Sequence, residues 1–134
     1  MDTRNKIMVV EEVEGCFQDM IRAGSSLVVA KGLFDILLLE HCVRLSRVAK
    51  LGDALIVVVY ADEDLMSTIL DQKTRAELIA SLSAVNAVTI LRKSEAETVA
   101  NTWHPLKIVD IDIPPLSDLV QDVLRRHISD GANR

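Results

Sequence analysis

The stretch Ser26-Leu27-Val28-Val29-Ala30-Lys31-Gly32-Leu33-Phe34-Asp35 changes character in its middle, from an unbroken apolar run to a glycine-containing junction. An apolar run that short suits a buried strand, and the glycine after it permits a close or unusual backbone turn. A strand is therefore expected over Ser26–Ala30, ending at Lys31-Gly32. Downstream, Leu38, Cys42, Leu45 and Ala49 recur at helical spacing, and Gly52-Asp53 closes that helix before a second apolar run, Ala54–Tyr60. Strand, helix, strand in that order predicts a parallel βαβ unit, and ligands of such sheets sit in the crevice beyond the carboxyl ends of the strands. The segment Lys31–Leu39 falls at that place.

The alternation continues in both directions. Upstream, Val10, Val13, Phe17, Met20 and Ile21 mark an amphipathic helix stopped at Gly24. Downstream, Asp71 is placed to cap a helix carrying Leu78, Ile79 and Leu82, and Ala87–Leu91 follows as a third strand. Glu95–Trp103 reads as a short helix stopped before His104-Pro105, because a residue preceding proline avoids helical geometry. Lys107–Ile113 reads as a fourth strand ended by Pro114-Pro115. A last amphipathic helix is expected from Leu116, Leu119, Val120, Val123 and Leu124, before a polar tail at Ser129–Arg134. The pattern predicts an α/β fold, a Rossmann-like doubly wound parallel sheet, with Ser26–Ala30 and Ala54–Tyr60 as adjacent central strands.

Composition agrees. With 134 residues, 49% of them hydrophobic, residues 1–134 suit a single domain with its own core. Only 3% are aromatic, so Val, Leu, Ile and Ala must fill that core, as in a sheet covered by helices. A formal charge of −5 argues against nucleic acid as a partner, because tracking phosphates needs a basic excess. Cys16 and Cys42 form no CxxC pair or Cys/His cluster, so neither a disulfide nor a metal site is expected. The apolar runs are far shorter than the ~20 residues that span a bilayer. The acidic Glu11-Glu12-Val13-Glu14 follows a polar start rather than a secretory h-region, and these features predict a cytoplasmic protein without a membrane partner.

The run from Lys31 to His41, continuing through Ala49-Lys50-Leu51-Gly52-Asp53 into the strand Ala54–Tyr60, resembles the opening of the HxGH nucleotidyltransferase superfamily. It is most similar to the adenylyltransferases that make ADP-heptose and to the glycerol-3-phosphate cytidylyltransferases. Gly32, Phe34, Asp35, His41, Leu51, Gly52 and Asp53 match that pattern in register, and Arg75, Leu78, Leu82 and the run from Asn86 to Ile90 also stand at expected places. After Lys107 the chain omits the loop and strand that such enzymes insert before their Ser-Thr-Thr helix start, where Pro115-Leu116-Ser117 now stands.

The resemblance implies transfer of a nucleotidyl group from ATP or CTP, carried with Mg²⁺, to a phosphorylated small molecule. No protein nucleophile is needed, so catalysis is positioning and charge stabilisation. It also implies site residues: Lys31, Gly32, Leu33, Phe34 and Ser117 as nucleotide-binding positions and His41 as the catalytic one, with a homodimer as the assembly. The four-residue box itself reads Leu38-Leu39-Glu40-His41, so leucine replaces the first histidine and glutamate the glycine. Losing one charge-stabilising donor lowers rate by about 10²–10³. Glu40 adds an anion at the helix N-terminus that a phosphate would use. The arginine expected in the last helix falls near Asp122, with Arg125 and Arg126 one turn further on.

Each of these residues also has an ordinary reading. His41, on a first helical turn, is a phosphate ligand or a satisfied surface or core histidine; Lys31 replaces a lost charge or is solvated. Asp35 is expected to be structural, holding the turn through backbone hydrogen bonds. Cys42, His104 and His127 lack partners at catalytic spacing. Ile36-Leu37-Leu38-Leu39 is core or an apolar patch for a partner. Three functions remain open: a weak or inactive domain acting through nucleotide or phosphate binding or assembly, an active transferase acting on a sugar or polyol phosphate, and a structural homo-oligomeric domain. An exposed Leu38 and Glu40 would favour binding, and an occluding pair would not.

Overall fold

The computed structural model describes residues 2–23, 26–63 and 68–112. Four strands, β1 (Leu27–Gly32), β2 (Ala54–Tyr60), β3 (Ala87–Leu91) and β4 (Lys107–Asp110), form one sheet in the order β3-β2-β1-β4. Every pairing is parallel, and β1 lies between β2 and β4 with Val29 opposite Ile56 and Ile108. The expected adjacency of the first two strands is therefore met. The helices are α1 (Val10–Ala23), α2 (Leu39–Ala49), α3 (Gln72–Ala80) and α4 (Lys93–Asn101).

Alternation along the strands divides the core between two faces. Val28, Ala30, Leu55, Val57 and Val59 pack with Leu45 and Val48 of α2 and Ala76, Ile79 and Ala80 of α3. Leu27, Val29, Ile56, Val58 and Tyr60 pack on the other side with Val13 of α1, Ala96 and Ala100 of α4, and Trp103. Both faces of β2 are buried along its whole length, which is why its sequence is continuously apolar rather than alternating. Ahead of α1, Ile7 bridges Val88 in parallel and the Met8 N–H donates to the Val88 carbonyl at 2.8 Å, covering the outer edge of β3.

Several boundaries differ from expectation for physical reasons. The first strand runs on through Lys31 and Gly32, and the positive φ values fall after it, at Phe34 (53°) and Ile36 (68°). Gly32 is required for space instead: a Cβ there would meet the Phe34 ring at 3.0 Å and Asp112 Oδ1 at 3.2 Å. Leu38 lies outside α2 as its extended N-cap, so the buried face of that helix is Leu45 and Val48 rather than one starting at Leu38. The helix α4 starts at Lys93 and ends at Asn101, earlier than expected, because the Arg92 carbonyl already accepts from the Glu95 and Ala96 N–H groups. Finally, β4 ends at Asp110 and not Ile113: the Asp112 N–H turns back onto Asp110 Oδ1 at 3.1 Å, an aspartate turn that competes with the ladder. The expected last helix lies outside the described residues, as do Ser117, Arg125 and Arg126.

Candidate functional site

Strand order places the switch point between β1 and β4, since the chain winds outward from β1 through β2 to β3 and then returns to the other side of β1. The crevice beyond the carboxyl ends of β1 and β4 is where open parallel sheets bind ligands. Lys31, Gly32, Leu33, Phe34 and His41 all gather around it, with two residues that the sequence pattern does not single out, Asp110 and Asp112.

On the side of α1 and α4, Lys31 Nζ stands 3.7 Å from Asp110 Oδ2, and both side chains are largely buried. The Tyr60 hydroxyl donates to the same oxygen at 3.2 Å. Burial pushes the Tyr60 phenol above its usual range, and the nearby Asp110 charge adds to the shift. The Lys93 ammonium lies 5.7 Å from the centre of the Tyr60 ring. Lys31 is thus neither simply solvated nor an uncommitted cation: it balances Asp110.

On the side of α2, the Phe34 ring is buried against Gly32, and the His41 ring meets it edge-on at 6.0 Å between centroids. His41 Nδ1 accepts the Leu38 N–H at 3.0 Å, so the ring proton of the neutral form sits on Nε2. This is half of a capping box, for the leucine side chain has no acceptor with which to return the bond. Leu38 (49%), Leu39 (80%) and Ile36 (45%) are exposed at the start of α2, and Glu40 is exposed beside them.

Asp112 spans the crevice. Its Oδ2 accepts the Leu33 N–H at 2.7 Å, although that N–H belongs to the junction expected to face a triphosphate. The Arg44 guanidinium of α2 donates to the Ile111 carbonyl and, at 3.4 Å, to that of Asp110, fixing the end of β4. Asp110 and Asp112 carry no signal in the sequence alone, where a strand expected over Lys107–Ile113 runs straight through them.

Below the crevice, two residues tie its loops together. Asp35 accepts the N–H groups of Ile69 and Leu70, each at 2.9 Å by its shorter contact. Those bonds, Leu70's first, hold its carboxyl below the usual aspartate range. Asp35 is therefore structural, as expected. The Arg75 side chain is fully buried and donates to the carbonyls of Leu33 (2.7 Å), Tyr60 (2.8 Å) and Leu70 (3.0 Å) and to the Asp62 carboxylate. Among the described residues no group of three His, Cys, Asp or Glu side chains converges to hold a metal ion, and no helix is long and apolar enough to cross a membrane. Cys16 and Cys42 are unpaired thiols, but Cys16 is exposed and Cys42 half-buried rather than both lying in the core.

No family model matches the chain. It is 35% identical over 117 residues to the bifunctional protein HldE of a Nitratiruptor species, a match covering 83% of this chain and 24% of that protein. It is 24% identical over 106 residues to the HldE of Desulfatibacillum aliphaticivorans, covering 75% of this chain and 22% of the relative. The chain thus spans about a quarter of the length of these relatives. Among solved structures it resembles the lipopolysaccharide core biosynthesis protein from Thermoplasma volcanium, with a TM-score of 0.53 and 36% identity, covering 63% of this chain and 73% of the other. Parallel topology, a crevice at the switch point and these relatives agree: the chain belongs to the nucleotidyltransferase family, as a nucleotidyltransferase-like domain.

Proposed function

We propose that this domain keeps the nucleotidyltransferase fold as a binding or assembly module and transfers nucleotidyl groups weakly or not at all. The observation that carries this reading is the start of α2, where Leu38 and Glu40 stand exposed at the positions a histidine and a glycine would need. Leu38 supplies no charge to an α-phosphate, and the Glu40 carboxylate satisfies the positive end of the helix dipole that a phosphate would otherwise use. His41 remains with Nε2–H as a donor, and Lys31 adds charge already balanced by Asp110. Exposure of Leu38 and Glu40 supports an open crevice rather than an occluded one, which favours a nucleotide or phosphorylated small molecule as ligand. Mg²⁺ would arrive on the triphosphate of ATP or CTP, as it does where a protein supplies few carboxylates.

Assembly is favoured by a different observation: Ile36, Leu38, Leu39 and Ile69 are all exposed apolar side chains, and the Ile69 N–H bonds Asp35, next to Ile36. A homodimer would cover such a surface.

The test is pyrophosphate release from ATP or CTP with Mg²⁺ and a panel of sugar and polyol phosphates, run beside an equilibrium titration of each triphosphate. Binding without turnover is expected. Turnover at ordinary enzyme rates would establish the competing reading, an active adenylyl- or cytidylyltransferase in which Lys31, His41 and a C-terminal arginine replace the lost groups.

A further inference from the structure

Resting on the reading that the crevice takes a phosphoryl group, we propose that Asp112 is an internal anion held on the phosphate position, so that a phosphoryl ligand binds only by displacing it. The Leu33 N–H follows the glycine that ends β1 and points to the crevice between β1 and β4, and it is donated to Asp112 Oδ2 at 2.7 Å. The other oxygen of that carboxylate lies 3.2 Å from where a Gly32 Cβ would stand, so the missing side chain is part of what admits it. Carboxylate and phosphoryl oxygens are interchangeable acceptors for a backbone N–H. They exclude one another there, because a single N–H offers one strong bond and two like charges at that range repel.

The carboxylate is delivered by a built support rather than left at the end of a loose loop. The Ile111 N–H donates to the Lys31 carbonyl at 2.8 Å, and the Asp112 N–H to Asp110 Oδ1 at 3.1 Å. Arg44 reaches from α2 to the carbonyls of Ile111 and Asp110. From the opposite side, Arg75 fixes the Leu33 carbonyl at 2.7 Å, so the donor's own residue is held too. Donor and acceptor are thereby preorganised toward each other, and a ligand must break a bond already in place. The ligand class is a phosphate ester or polyphosphate, which can match the lost acceptor; a neutral ligand gains nothing at this N–H.

The experiment titrates inorganic pyrophosphate into ¹⁵N-labelled protein, following the Leu33 amide in the unaltered chain, in Asp112→Ala and in Asp112→Asn. Expected is a Leu33 shift in Asp112→Ala at about 10- to 100-fold lower pyrophosphate than in the unaltered chain, the range one charge-assisted hydrogen bond spans. Asp112→Asn, which keeps an acceptor without the charge, should fall between. Equal pyrophosphate concentrations for all three, with Leu33 moving in each, would overturn the internal anion while leaving the crevice a phosphoryl site. Binding that never moves Leu33 would overturn it as well. Absence of binding in all three would overturn both the internal anion and the reading beneath it. Should Asp112→Ala fail to fold, the Asp112→Asn comparison carries the same outcomes.

Discussion

Residues 32–35 and residues 36–40 are consecutive pieces of the junction that leads from the end of β1 into the first turn of α2, yet they are held in opposite ways. In the first piece Leu33 bonds through both its N–H and its carbonyl, Phe34 is buried, and Asp35 collects two backbone N–H groups from another loop. In the second, Ile36, Leu38 and Leu39 are exposed, and His41 reaches back to Leu38 as the anchor of the helix start. Ile36 adopts a φ of 68°, a left-handed conformation that costs an L-residue about 1–2 kcal/mol and that the fastened neighbours on either side maintain. The contrast teaches that what the fold needs from this junction and what transfer chemistry would need are separable within a short run of sequence. The first piece builds the crevice floor. The second piece, to which the proposed reading assigns charge stabilisation, carries leucine and glutamate.

The strongest way to break the contrast is at Arg75, on which the first piece depends. Replacing it with Met leaves the carbonyls of Leu33, Tyr60 and Leu70 and the Asp62 carboxylate without their shared donor. Removing one partner from such a buried network costs about 3–5 kcal/mol, and urea unfolding followed by circular dichroism should show it. A loss under about 1 kcal/mol would mean that Arg75 is not what fixes the first piece.

A smaller effect is expected at Asp35, whose carboxylate is at the surface. Its folded pKa is depressed by the Leu70 and Ile69 N–H groups, so its stabilising contribution is full above the ordinary aspartate value of ~3.9 and is lost as pH falls through the lower folded value. Asp35→Asn should therefore be less stable than the unaltered chain at pH 7, with the difference shrinking below pH ~4. A difference independent of pH down to the acid limit would show that charge is not the cause.

The smallest effect belongs to the second piece. Leu39 is 80% exposed, and Leu39→Ser should change unfolding free energy by no more than about 0.5 kcal/mol. If the same substitution lowers the apparent mass of the protein by sedimentation, the exposed leucines are an assembly surface; an unchanged mass would favour the binding reading.

Much of this arrangement is legible in the chain itself. The two buried strands, the helix between them and the Asp71 cap, which accepts the Thr74 N–H at 2.7 Å, follow from local patterns that the packing does not override. The structural role of Asp35 is legible because a carboxylate beside a turn has few alternatives. Asp110 and Asp112 are not, because their importance comes from β4 returning beside β1, a pairing of residues far apart in the chain that no local pattern encodes. Lys31 reads from sequence as solvated or phosphate-facing for the same reason: its partner comes from the far end of the chain.

The central claim, that the start of α2 has lost the groups for triphosphate chemistry while its fold stayed, is tested most directly by calorimetry. ATP and CTP with Mg²⁺ would be titrated into the unaltered chain, Leu38→His, Glu40→Gly and the double variant. A histidine at 38 cannot serve while the Glu40 carboxylate keeps phosphate from the helix N-terminus, so the double variant should bind at least about 10-fold tighter than the unaltered chain and each single variant much less, a non-additive pair. An unaltered chain that binds as tightly as the double variant and releases pyrophosphate would contradict the claim.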